Sequence, residues 1–236
     1  AKGDIPLVIP SPIVLEVGSA LTPLVDDKQD GGRFLNEMIP LLRHGLYYET
    51  GVNFPGIQVR GESLELPADA YMIKINEIPM AGGRITPGTF LVGESLEQLR
   101  LFNIDGVETH HPIDNSICTW ISAEYQELAR QAGFRMWDPG EYMIIHLSAV
   151  LRDNAAEFVG MQETQIMLEQ LKRTHPALVD EVIPRILSLF QITEVMQRLV
   201  QEDISIRDLK TIMQTIAQWG HVERDWYGLH NLWPES

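Results

Sequence analysis

The sequence predicts an α+β chain, on three observations. Short β-branched runs, punctuated by glycine- and proline-bearing turns, dominate as far as Val92. From Ser122 onward, apolar residues recur at three-and-four spacing behind readable helix caps. The 236 residues, 44% hydrophobic and 22% charged, suffice for one large or two to three small compact units without staples.

In chain order, Ile5–Pro12 carries three prolines and should be an extended linker. The opening Ala1-Lys2-Gly3-Asp4 has no basic-then-apolar leader and reads as an artificial edge or the end of a linker, with further chain expected ahead of it in the full protein. Ile13–Val17 predicts a strand stopped by Gly18. Asp30-Gly31-Gly32 then opens a helical segment from Phe34 to Tyr48, which Pro40 should kink by removing one main-chain hydrogen bond.

The runs Ile57–Arg60, Tyr71–Ile78 and Thr89–Val92 predict antiparallel strands joined by tight turns. Tyr71, Ile73 and Ile75 alternate with Met72, Lys74 and Asn76, giving one face to a core. Glu94–Asn115 mixes charge with a His-His-Pro-Ile-Asp segment and predicts a surface excursion.

Beyond it, Asp138-Pro139-Gly140-Glu141 sets an N-cap aspartate, a first-turn proline and a third-position glutamate, the start of a helix. Ser205-Ile206-Arg207-Asp208 looks like a second such start. Helices are expected at roughly 140–160, 162–173, 176–183, 191–202 and 206–218, packed as a bundle. The methionines at 143, 161, 167, 196 and 213 fall on these helices as core filler or an adaptable binding surface.

Composition removes several functions. Eighteen basic against thirty-three acidic residues give a net charge of −15, which repels a phosphate backbone. The single cysteine, Cys118, excludes a disulfide framework and a multi-cysteine zinc site and fits a reducing compartment. The longest apolar stretch, near Tyr142–Leu151, is interrupted by His146 and falls short of the ~20 residues a membrane helix needs.

No dinucleotide, Walker, zinc-protease or nucleophile-elbow signature occurs. His110, His111 and Asp114 carry donor types that suit a transition metal, so a metal-dependent enzyme is the rival reading. Adjacent histidines in a strand point apart, however, and a solvated loop is the plainer account. His146, among apolar helix neighbours, reads as a satisfied histidine, and Cys118, beside Trp120 and Ile121, as inert packing.

Four segments carry a resemblance. These are IVLEVGSALTPLVD at 13–26, RGESLELPADAYMIKI at 60–75, VGMQETQIMLEQLKRTHPALVDEVIP at 159–184 and ISIRDLKTIMQTIAQW at 204–219. In order and spacing, over about 13–220, the chain resembles the cytoplasmic domain of the FHIPEP family, the export-gate proteins of type III secretion.

The resemblance implies a domain on the cytoplasmic face of the bacterial inner membrane, reached through a preceding membrane region. It implies a nonameric ring that docks chaperone–effector and gatekeeper complexes and other export-apparatus proteins, with no catalysis and no cofactor. Carried over, 13–75 with 120–138 form a first α/β subdomain, 76–119 an inserted second, and 139–219 a helical third. Residues 220–236 depart from the family's continuation into a fourth subdomain and read as truncated or foreign.

Flagellar members carry an Asp/Glu-Pro-Ala-Phe-Gly-Leu-Pro type segment where this chain has His111-Pro-Ile-Asp-Asn-Ser-Ile-Cys118. A virulence member is therefore implied over the flagellar alternative. Ile113, Asp114 and Cys118, in a cleft between the first two subdomains, are the candidate chaperone-docking residues. Arg152, Asp153, Glu157 and Arg198 are candidate ring contacts, because a cyclic ring needs two complementary patches on each subunit.

Overall fold

The computed structural model describes residues 10–28 and 32–220. Most of the expected linker, Asp30-Gly31 and the tail 221–236 lie outside the described residues. The chain forms two compact units. The first runs to Leu42 and resumes over Pro55–Val150; the second takes Arg43–Phe54 and the chain from Leu151.

The first unit opens with β1 (Ile13–Val17) and the short α1 (Thr22–Val25). A π-helical turn at Phe34–Met38 then leads into α2 (Ile39–Thr50). The Ile39 amide reaches back to the Phe34 carbonyl, one residue further than in an α-helix. Pro40, with no N–H to give Asn36, follows at once; the expected local break takes this form.

The sheet order is β2-β1-β3-β4, where β2 is Ile57–Arg60, β3 Ala70–Ile75 and β4 Ile78–Arg84. Two strand expectations need correction. β1 and β2 run parallel, Ile13 opposite Ile57, because the chain returns between them through a helical crossover and not a hairpin. The run Tyr71–Ile78 is not one strand: Asn76 and Glu77 both take positive φ, 50° and 66°, and reverse the chain into a β3–β4 hairpin.

β1 is buried along its whole length. Its one charge, Glu16, meets the Lys74 ammonium at 2.5 Å and accepts from the Ser63 hydroxyl. Those two hydrogen bonds hold the carboxyl below the usual range.

A second, antiparallel sheet has the order β6-β7-β5-β8. Its strands are β5 (Thr89–Val92), β6 (Gly106–His110), β7 (Ile117–Ser122) and β8 (Met136–Trp137). The helices α3 (Leu96–Arg100) and α4 (Gln126–Gln131) accompany it. Glu94–Asn115 is thus no plain surface excursion. Leu99 and Ile104 from it are fully buried with Val92, Ile121 and Ala129, but a five-residue helix is too short to show a period.

α5 (Pro139–Asp153) starts as expected: the Glu141 amide donates to the Asp138 carboxylate at 2.8 Å and the Asp138 amide to the Glu141 carboxylate at 2.9 Å.

The second unit holds the ends of α2 and α5, a 3-10 turn at Ala155–Phe158, and α6 (Met161–Thr174), α7 (Pro176–Val182), α8 (Leu189–Gln201) and α9 (Leu209–Trp219). Two boundaries differ from expectation. The 140–160 helix stops at Asp153. The last helix is capped by Asp208, whose carboxylate accepts from the Thr211 amide, while Ile206 is buried ahead of it. Among the described residues, no helix is long and apolar enough to cross a membrane.

Candidate functional site

The loop joining β6 to β7 carries the residues singled out above. The His111 amide donates to the Ser116 carbonyl at 2.8 Å, the Asn115 amide donates to the His111 carbonyl at 3.0 Å, and Asn115 sits at φ 57°. The Asp114 carboxylate accepts from both the hydroxyl and the amide of Ser116, at 2.7 and 3.0 Å. These two bonds keep its pKa below the ordinary aspartate range.

His111 lies over the Trp137 ring with centroids 5.3 Å apart, and its Nδ1 is 3.3 Å from Asp114 Oδ1. Ile113, about half exposed, stands at the loop tip beside the exposed Asp114. The two can meet a partner together.

Cys118 cannot join them. Its side chain is fully buried in β7, its thiol donates to the Thr109 carbonyl at 3.7 Å, and burial pushes its pKa up to about 11. The reading of Cys118 as inert packing stands, and its place in a contact surface does not. The rival metal site also fails: among the described residues no three His, Cys, Asp or Glu side chains gather to hold an ion, so His110, His111 and Asp114 form no ligand set.

In the second unit, Arg152 makes a two-pronged ion pair with Glu49, Nε and Nη2 at 2.6 and 3.0 Å from its carboxylate oxygens. This pair lines a cavity of about 270 Å³ with Thr50, Val200, Asp203 and Ile204. Asp153, Glu157 and Arg198 are exposed on the end of α5, the 3-10 turn and α8.

Two larger cavities in the first unit escaped the sequence reading. One, of about 440 Å³, is lined by Leu24, Phe34, Met38 and Phe90, with Arg33 and Asp138 paired at 3.1 Å beside them. The other, of about 480 Å³, lies against Val107, Trp120 and Tyr125. Neither contains Ile113, Asp114 or Cys118. No motif marks them, because each wall is assembled from strands and turns far apart in sequence.

The chain is 37% identical to the low calcium response locus protein D of Yersinia pestis over 191 residues, 81% of this chain and 27% of that protein. It is 32% identical to the flagellar biosynthesis protein FlhA of Bacillus subtilis over 214 residues, 91% of this chain and 31% of that protein. It therefore spans less than a third of these relatives.

Among solved structures, the Chlamydia pneumoniae CdsV protein superposes with TM-score 0.87 at 35% identity, over 94% of this chain and 66% of that one. The nonameric EscV cytosolic domain from a type III secretion system gives 0.68 at 25% identity, over 94% and 62%. The FHIPEP family model matches residues 5–232. The chain belongs to the FHIPEP family.

Proposed function

We propose that this chain is the ring-forming, cytoplasm-facing part of a type III secretion export gate. In this reading it docks chaperone–effector and gatekeeper complexes at the bacterial inner membrane, held there by a membrane region outside the chain. The observation that carries it is the match to CdsV over 94% of the chain at TM-score 0.87 and 35% identity.

A virulence-type system is supported by 37% identity to the Yersinia protein against 32% to the flagellar one. The departure of residues 111–118 from the flagellar pattern supports it too. The nonameric EscV domain supports a ring. Ring contacts are assigned to Arg152, Asp153, Glu157 and Arg198, of which Arg152 also pairs with Glu49 within its own chain. The division into subdomains 13–75 with 120–138, 76–119 and 139–219 belongs to the same proposal.

Docking is assigned to Ile113 and Asp114. The test is affinity capture from a lysate of a secretion-competent bacterium, with mass spectrometry, using the wild type, Asp114→Asn and Asp114→Arg. Asparagine keeps an oxygen for the Ser116 donors and removes only the charge. The reading expects export chaperones with their cargo, retained by neither charge-altered variant as well as by the wild type. Equal recovery by Asp114→Arg removes Asp114 from the site, and no recovery by the wild type overturns docking on this chain.

A further inference from the structure

The two sheets of the first unit expose four edge strands: β2 and β4, β6 and β8. Three are blunted. β4 carries Pro79 and a register break opposite Ile73/Lys74, both of which discourage a further strand. β2 is four residues long, with Gln58 and Arg60 tied to Ser11 and Glu77. β8 has two residues. β6 alone has five residues and no proline, and Val107 on it is 69% exposed.

The hairpin fixes which main-chain groups of β6 face outward. The His111 amide bonds to Ser116, and hydrogen-bonded and non-bonded pairs alternate along an antiparallel ladder. His110–Ile117, Glu108–Thr119 and Gly106–Ile121 are therefore the non-bonded pairs of the register. The N–H and C=O groups of Gly106, Glu108 and His110 point away from β7, and among the described residues no other main chain pairs with them. Unpaired donors and acceptors at strand spacing are matched by extended backbone.

Beside this edge is the cavity of about 480 Å³. Val107 and Trp120, register partners on one face, line it with Tyr125, Asp105, Glu124 and Arg84. Arg84 is held by Asp69 at 2.8 Å and Asp105 by Arg100 at 3.3 Å. Glu124 has no ion-pair partner among the described residues, so the wall carries one uncompensated negative charge.

We propose that β6 is a docking edge for an extended peptide segment of a partner protein. The segment adds as a further strand beside β6, seats an apolar side chain between Val107, Trp120 and Tyr125, and sets a lysine or arginine against Glu124. This goes beyond the chaperone-docking reading and does not rest on it. The occupant is extended main chain, and the site is a strand edge instead of the 111–116 loop.

The probe is a short fluorescein-labelled peptide of alternating lysine and valine, titrated onto the chain by fluorescence anisotropy. Amide exchange is followed by NMR. Saturable binding is expected, with slowed exchange at Gly106, Glu108 and His110. His110→Pro removes one outward donor while sparing the ladder to β7, and should weaken binding about fivefold. Glu124→Gln should weaken it about twofold to fivefold.

The same peptide with N-methylated valines, used on the unaltered chain, should not bind, which keeps the test independent of how a variant folds. Absent binding, equal binding of the N-methylated peptide, or protection confined to other strands overturns the proposal. Concentration-dependent self-association that protects the same amides without peptide would assign the edge to a second copy and overturn it as well. Unchanged peptide binding by Asp114→Asn is expected, so failure here and failure of the docking loop are separately visible.

Discussion

The Tyr71 hydroxyl lies 2.6 Å from Nδ1 of His146, joining the buried strand β3 to α5. Tyr142 packs edge-on against Tyr71, centroids 6.4 Å apart, and Trp120 packs against Tyr142 at 4.9 Å. Burial lowers the imidazole pKa from its ordinary 6.5 and raises that of the Tyr71 phenol, so a neutral His146 accepts from a neutral Tyr71.

Because the folded state holds His146 below its unfolded pKa, unfolding takes up a proton once pH falls under about 6.5. This contribution is complete above that pH and is lost as pH falls toward the lowered value. Thermal melts should show the wild type losing stability as pH falls below about 6.5, with a flatter profile for His146→Gln. Tyr71→Phe strands the Nδ1 acceptor and should cost about 1–3 kcal/mol at neutral pH. Parallel pH profiles for wild type and His146→Gln would contradict this account.

The α5 cap offers a cleaner electrostatic comparison. Asp138 accepts from the Glu141 amide and also pairs with Arg33 at 3.1 Å. Asp138→Ala loses both and should cost about 1–2 kcal/mol, whereas Asp138→Asn keeps the cap oxygen and should cost less. Urea denaturation of the two variants measures the difference, and equal losses would give the effect to charge alone.

Gly51 sits at φ +77°, and a Cβ there would stand 2.2 Å from the Arg207 nitrogen and 2.6 Å from the Ile206 carbonyl carbon. Both obstacles are main chain, so no rotamer change relieves them. Gly51→Ala should cost about 3 kcal/mol or more. Gly88 has the same φ, +77°, with nothing within 4 Å. Gly88→Ala should cost only the about 1–2 kcal/mol of left-handed strain. Similar losses in denaturant titrations would rule out the close approach as the cause.

Arg152 and Arg198 are both candidate ring contacts, and Arg152 already holds Glu49 within its own chain. Arg152→Glu faces Glu49 with a second carboxylate and should lower the melting temperature. Glu49→Arg in the same chain should recover about 1 kcal/mol of coupling. Arg198→Glu, on an exposed position of α8, should weaken assembly in sedimentation at high protein concentration. Unaltered sedimentation would remove Arg198 from the ring surface.

Much of the local chemistry was readable from order and spacing. The Asp138–Glu141 box, the stripe Ile192, Met196 and Leu199, and the disturbance at Pro40 each involve groups within a few residues of one another. Their geometry follows from the helix itself. The family was readable because long ordered segments matched, and the 111–118 loop drew notice because its residues depart from one variant of that pattern.

Long-range pairings were not readable. Ile13 opposite Ile57, the burial of Cys118 beside an exposed Asp114, and the free outer edge of β6 depend on which strand lies next to which. A strand's own residues bias it by only about 1 kcal/mol or less, and the same residue changes value between an edge and a centre. The amino-acid order decided where helices begin, which faces are apolar and which family this is. The packed fold decided which strands run parallel, which polar groups meet at 2.6 Å, and which backbone groups lie along an open sheet edge, because those energies exist only between segments that folding brings together.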